Sequence, residues 1–271
     1  MIQYYDHMIL AVNSIEQATR DLSDLGFVVQ DRPNAVDGEI DARFVCFDDD
    51  SYLEISAFRE PETPSAHRWW PILKAQGEGW IDYGMEVQPV EGPALRLTAA
   101  GLPVSASVTT SRSLRDGRRW AVQAVQAGRS AGGNPALPFF MEDISPRAIR
   151  VPPRPEAHAL PVGDGVVGAT LAVAELASVK PALDAVLGPA SAASARLAGA
   201  QDGLLYRFNG RWLEVQAVGA STKSELAEHL TRCGDSIFEV TLGVIGSTEP
   251  GEGELLPSNL THGGRIRHPA A

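Results

Sequence analysis

The chain has 271 residues, of which 44% are hydrophobic and 21% are charged, and its net charge is −11. This composition is that of a globular protein with room for two compact domains. The acidic balance argues against nucleic acid as a partner, and no apolar run is long enough to cross a bilayer. The first residues have neither the basic start nor the apolar stretch of a secretory signal, so we expect a cytoplasmic protein.

The first predicted unit has the element order βαβββ. The pattern predicts, in chain order, a strand at 4–12, a helix at 14–26, and strands at 27–29, 43–47 and 52–58. The helix begins at a capping box, Ser14 to Gln17, and ends at Gly26, which can adopt the left-handed conformation of a helix stop.

The same order recurs along the chain, which predicts an α+β fold of about three and a half βαβββ units that form curved mixed sheets. The second unit begins near Trp80, the third spans 166–218, and a truncated fourth follows. Five prolines in 146–161 predict a stiff linker. The predicted domains are therefore 1–145, with units one and two, and 162–271, with the rest.

The first and third units match each other most clearly. Residues 6–12 correspond to 168–173, and Tyr52-Leu53-Glu54-Ile55 corresponds to Trp212-Leu213-Glu214-Val215. The first unit has His7 where the third has Gly168.

Alternation along the strands predicts a pocket on one face. Tyr52 and Glu54 share a face of the last strand of unit one, and Tyr5 and His7 share a face of its first strand. If those strands are neighbours, His7 and Glu54 converge.

His7 and Glu54 are acceptable ligands for a divalent metal ion. Superposing Val12 on Val87 adds Asp82 as a third ligand, and Glu142 lies on the last strand of unit two. Such a site suits Mg²⁺, Mn²⁺ or Fe²⁺, and Zn²⁺ and Ni²⁺ are not distinguished from these. The alternative is a pocket without metal, in which Glu54 binds His7 or water.

Aromatic residues predict a ligand wall beside these groups. Tyr5, Tyr52, Trp69 and Trp70 are the candidate substrate-binding residues. The segment 67–70 either walls the pocket or plugs the edge of the sheet.

Four arginines, Arg112, Arg115, Arg118 and Arg119, surround the turn signal Asp116-Gly117. This segment is interpreted as a solvated hairpin tip or, alternatively, as an anion-binding patch.

The segments at 6–12, 25–27 and 52–55 resemble the vicinal oxygen chelate superfamily, which includes glyoxalase I, bleomycin-resistance proteins and extradiol dioxygenases, and most of all its glyoxalase-like domain branch. The resemblance implies paired βαβββ units that form a cup, with metal ligands on the first and last strands of each unit. Asp82 stands where a histidine is usual in the second unit, and Gly168 stands there in the third.

Two functions follow from the resemblance. One is a lyase, isomerase or dioxygenase dependent on a divalent metal, with Glu142 or Glu214 as general base. The other is metal-free binding or sequestration of a small organic molecule, as in resistance proteins. Pairing of the units between two chains, in a homodimer, is an alternative to pairing within one chain.

Overall fold

The structure is a computed structural model and describes residues 2–32, 38–114, 116–193, 196–219 and 223–270. In these ranges the chain forms two mixed β-sheets and five α-helices. The helices are α1 (Ile15–Asp24), α2 (Trp70–Gln76), α3 (Glu91–Ala99), α4 (Lys180–Leu187) and α5 (Glu225–Cys233).

The first sheet contains the strands of units one and two. These are β1 (Ile2–Ala11), β2 (Gln30–Asp31), β3 (Ile40–Cys46), β4 (Tyr52–Phe58), β5 (Gly79–Val87), β6 (Val108–Ser113), β7 (Arg119–Gln126) and β8 (Phe139–Asp143). Their order across the sheet is β2-β3-β4-β1-β5-β8-β7-β6. Strands β1 and β5 are antiparallel at its centre, with β4 parallel to β1 and β8 parallel to β5.

The second sheet repeats this plan. Its strands are β9 (Gly165–Val173), β10 (Ser191–Ala193), β11 (Ala200–Phe208), β12 (Arg211–Val218), β13 (Ser236–Gly243), β14 (Glu254–Leu255) and β15 (Ile266–His268). Their order is β10-β11-β12-β9-β13-β15-β14. Along the described chain no helix separates β13 from β14, so the last unit is truncated. The predicted α+β fold of repeated βαβββ units is confirmed.

One continuous core joins the two sheets. Leu10 of β1 and Leu22 of α1 belong to the same buried cluster as Leu171 of β9 and Leu183 of α4. The hydroxyl of Tyr5 donates a hydrogen bond to the carbonyl of Trp212 across this core, at 2.6 Å.

The proline-rich segment 146–161 crosses from the first sheet to the second and packs against the first. The amide of Val28 donates a hydrogen bond to Nδ1 of His158 at 3.0 Å. Nε2 of the same ring donates to the carbonyl of Cys46, also at 3.0 Å. The segment thus has contacts beyond those of a spacer. The division into domains at 1–145 and 162–271, and association of two chains, stay predictions.

Among the described residues, no helix combines the length and apolarity needed to span a membrane.

Candidate ligand-binding site

One face of the first sheet encloses a cavity of about 410 Å³, which we call the cup. Its walls carry aromatic rings from several strands and from the segment before α2. These rings are Phe44, Tyr52, Trp69, Trp120 and Phe139. His7 and Glu54 lie among them.

His7 lies between carboxylates on two sides. Its Nδ1 is 2.6 Å from Oδ1 of Asp6, and its Nε2 is 3.9 Å from Oε2 of Glu54. The imidazole stacks on the Tyr52 ring, with centroids 4.8 Å apart and planes 8° from parallel. The predicted convergence of His7 and Glu54 is therefore present in the structure.

Asp6 is fully buried and fixes the orientation of His7. Burial opposes ionisation of Asp6, but Arg150, Arg147 and the hydrogen bond from His7 hold its pKa well below its ordinary value. Because the ionised carboxylate can only accept, Nδ1 of His7 carries the proton and donates it to Asp6. The other ring nitrogen, Nε2, is then the one nearest Glu54.

Arg150 anchors this arrangement from the crossover segment. Its guanidinium donates to both oxygens of Asp6 and both oxygens of Asp143, and to the hydroxyl of Tyr52 at 2.7 Å. Arg147 also binds Asp6. Two cations therefore meet the buried carboxylate that orients His7.

The structure corrects the prediction that Tyr5 lines the pocket. In the pairing of β1 with β5, Tyr5 lies opposite Met85 and His7 lies opposite Gly84, so β1 has one extra residue, Asp6, at this point. This bulge breaks the alternation that would place Tyr5 and His7 on one face. Tyr5 consequently points into the shared core, where its exposed fraction is zero.

The second unit does not supply the third metal ligand that the sequence predicted. Because His7 pairs with Gly84 across the central strands, Asp82 is opposite Ile9 instead. The side chain of Asp82 accepts from Arg68 at 2.7 Å and from the indole N–H of Trp69 at 3.1 Å. Asp82 thus lies outside the cup, in an ion pair.

The register identifies which residues of unit two correspond to His7 and Glu54. In unit one His7 and Glu54 occupy β1 and β4, and the equivalent positions of β5 and β8 are Gly84 and Met141. A Cβ atom at Gly84 would lie 2.9 Å from the ring of Phe139, so that ring fills the space. Unit one therefore supplies the cup with a nitrogen and an oxygen that could bind a metal ion, and unit two supplies neither at the equivalent positions.

Glu142 points away from the cup, because it alternates with the cup-lining residues Phe139 and Met141 along β8. Its carboxylate accepts the amide of Val90 at 2.9 Å, next to α3. The structure therefore does not bring this predicted base together with His7.

Glu214 lies in the second sheet, outside the cup. It accepts from Arg196 at 2.7 Å, from Thr170 at 2.9 Å and from Gln216 at 3.0 Å. Its place in the second sheet means that the structure does not bring this predicted base together with His7 and the cup.

Of the two tryptophans predicted to bind substrate, Trp69 lines the cup. Trp70 begins α2, and its ring packs edge-on against Phe58, with centroids 4.9 Å apart. The segment 67–70 thus forms one wall of the cup with Trp69 and covers apolar surface with Trp70.

One cluster in the described part of the chain could hold a metal ion. Asp6, Glu86 and Asp143 each offer an oxygen, and these oxygens lie within 4.8 Å of one another. Arg147 and Arg150 already bind Asp6 and Asp143. Burial, together with the charges of Asp6 and Asp143, raises the pKa of Glu86 to about 8, so Glu86 is mostly protonated at neutral pH.

Sequence reasoning missed the residues that hold His7 in place. Asp6 stands beside His7, but alternation assigned it to the opposite face. Arg147 and Arg150 lie about 140 positions away, in a segment interpreted as a linker. Three arginines, Arg147, Arg150 and Arg154, stand in this proline-rich segment, and they were the available signal.

The architecture, two mixed sheets built from βαβββ units, recurs in solved structures. A hypothetical protein from Staphylococcus aureus matches with a TM-score of 0.65 and 8% identity, over 97% of this chain and 98% of that one. A mutant 4-hydroxymandelate synthase from Streptomyces coelicolor matches with a TM-score of 0.62 and 16% identity, over 89% and 71%.

A xylose isomerase-like TIM barrel/4-hydroxyphenylpyruvate dioxygenase fusion protein matches with a TM-score of 0.51 and 12% identity, over 89% of this chain and 36% of that one. At such identities the likeness establishes the fold alone. The search of curated proteins gives no significant match. The family model described as "Glyoxalase-like domain" matches residues 5–187. This chain therefore belongs to the glyoxalase-like domain family.

Proposed function

We propose that this protein binds a small organic molecule with an aromatic or apolar body in the cup, and that it does so without a resident metal ion. The observation that carries the proposal is the cup itself, a cavity of about 410 Å³ walled by aromatic rings. Small-molecule sites of proteins commonly have this size and this mixture of apolar walls and few polar groups.

The donor set supports metal-free binding. Tightly held metal ions need three or four protein ligands, and strands β1 and β4 supply two, Nε2 of His7 and a carboxylate oxygen of Glu54. The equivalent places in unit two hold Gly84 and a thioether, Met141, and the ring of Phe139 covers Gly84. Hard cations such as Mg²⁺ and Mn²⁺ do not select a thioether.

A metal-dependent lyase, isomerase or dioxygenase is the second candidate. The 3.9 Å approach of Nε2 of His7 to Oε2 of Glu54 favours it, because two donors that face one cavity can share an ion. Elemental analysis of the protein purified without chelators separates the two candidates. We expect less than 0.1 equivalent of any divalent metal, and a stoichiometric metal would replace our proposal with this one.

Tryptophan fluorescence tests binding directly, because Trp69 and Trp120 line the cup. We expect aromatic compounds from a fragment set to quench the emission in a saturable way and to raise the melting temperature. In Trp120→Phe the quenched fraction falls. The matched control is Trp70→Phe, since Trp70 lies outside the cup. In this variant the absolute emission lost when ligand binds should equal the loss in the wild type.

The binding proposal would be abandoned if no compound of the set gave saturable quenching or a melting shift. It would also be abandoned if quenching persisted unchanged in a double Trp69→Phe, Trp120→Phe variant, because the signal would then come from another site.

A further inference from the structure

The cup concentrates positive charge in a chain whose net charge is −11. Its lining includes four arginines, Arg32, Arg68, Arg112 and Arg150. Two glutamates, Glu39 and Glu54, line the same cavity. Arginine side chains collected in one cavity of an acidic protein favour an anionic ligand.

Two of these arginines are compensated by carboxylates outside the cup. Arg150 is held by Asp6 and Asp143. Arg68 binds Asp82 at 2.7 Å and also donates to Gln126 at 2.7 Å. Neither guanidinium therefore accounts for an anion site by itself.

Arg32 is different. Its guanidinium lies over the ring of Trp120, 5.6 Å from the centroid, and its buried Nε has no hydrogen-bond acceptor among the described residues. The neighbouring carboxylate of Asp31 binds Arg43 at 2.8 Å instead. A buried donor without an acceptor is destabilising, so an arriving anion that accepts a hydrogen bond from Arg32 removes this cost.

Arg112 lines the same cavity, and its guanidinium also donates to the carbonyl of Ser111 at 3.2 Å. Arg112 lies on β6 and pairs across the β6–β7 hairpin with Trp120. The ring of Trp120 is the one over which Arg32 lies. The sequence left open a solvated tip or an anion patch here. Arg118 lies at the tip in a pair with Asp116, and Arg115 lies outside the described residues.

We propose that the cup is specific for aromatic carboxylates and that Arg32 binds the carboxylate group while the aromatic ring lies among the aromatic side chains of the cup. This inference rests on the proposed function and names its ligand class. Arginine presents a planar fork of N–H donors that matches a carboxylate, and its stacking on Trp120 holds that fork in place.

A matched pair of ligands tests the inference. The probes are 3-phenylpropanoate and 3-phenylpropanamide, which have the same body and differ in charge. We expect the wild-type protein to bind the carboxylate at least tenfold more tightly than the amide, by calorimetry and tryptophan quenching. The preference should fall as salt concentration rises, because the interaction is electrostatic.

The variant Arg32→Gln should bind the two probes with equal affinity and should bind the amide as the wild type does, which also shows that it is folded. The matched control is Arg59→Gln, at an exposed arginine outside the cup, and it should keep the full preference.

The possible results separate the two proposals. Equal binding of both probes by the wild type overturns the anion class and leaves the binding function intact. A preference that survives in Arg32→Gln overturns the assignment to Arg32. Failure of the wild type to bind either probe, with no other aromatic compound quenching, overturns the proposed function and this inference with it.

Discussion

Replacing Arg150 with methionine tests the buried charge network under the cup. Arg150 is 5% exposed, Asp6 is fully buried, and Arg150 donates to two carboxylates and to Tyr52. Removing one partner of a buried ion pair costs about 3–5 kcal/mol, because the other charge stays buried without compensation. Arg147 still contacts Asp6 in the variant, so we expect the lower end, about 3 kcal/mol of unfolding free energy.

Urea denaturation followed by far-ultraviolet circular dichroism measures this loss. The control is Arg154→Met, in the same crossover, where the arginine pairs with Asp48 and is half exposed. An exposed pair contributes about 1 kcal/mol or less. The double variant Asp6→Asn, Arg150→Met should lose less unfolding free energy than the two single variants lose together, since it also removes the buried, uncompensated charge of Asp6. If Arg150→Met cost no more than Arg154→Met, the network would not stabilise the fold as argued.

Three further predictions concern other residues. Because the pKa of Glu86 is about 8 when folded and 4.5 ordinarily, its stabilising effect is complete below pH 4.5 and is lost as pH rises through 8. Glu86→Gln should therefore gain about 2–3 kcal/mol over wild type between pH 6 and pH 9 in urea titrations, and parallel pH profiles would contradict this. Gly84→Ala should lower the melting temperature and weaken ligand binding, because the new Cβ would lie 2.9 Å from the Phe139 ring. Adding Phe139→Leu to this variant should restore part of the stability. If it restored none, the clash with Phe139 would not be the cause. His262→Ala should lose about 1–2 kcal/mol in urea denaturation, since both ring nitrogens lie 3.0 Å from carboxylate oxygens, and an unchanged midpoint would refute that estimate.

The sequence was sufficient to predict the architecture, because the repeated units have strong local signals. The predicted helix start is present as a hydrogen bond from the amide of Gln17 to the hydroxyl of Ser14 at 3.2 Å, and the buried residues Ile15, Ala18 and Leu22 recur at the helical spacing of three and four. The approach of His7 to Glu54 also followed from alternation and from parallel pairing of the two strands. These features depend on local pattern and on one neighbouring strand.

The rest of the site depends on departures from regular pattern and on distant segments. The extra residue at Asp6 reverses the face of Tyr5, and no turn or proline marks that bulge in the sequence. The superposition that selected Asp82 was two residues out of register, which is enough to leave the cup. Arg150 reaches Asp6 from a segment with no regular strand, where periodicity carries no information.

The crossover segment limits where the chain can be cut into two parts that fold. Since Arg147 and Arg150 come from beyond the last strand of the first sheet, a fragment that ended at Asp143 would leave Asp6 buried with neither cation. Gene fission at that point would yield an unstable half, whereas fission after the crossover would keep the pair. The family model also runs past this point, to residue 187, and so includes the crossover.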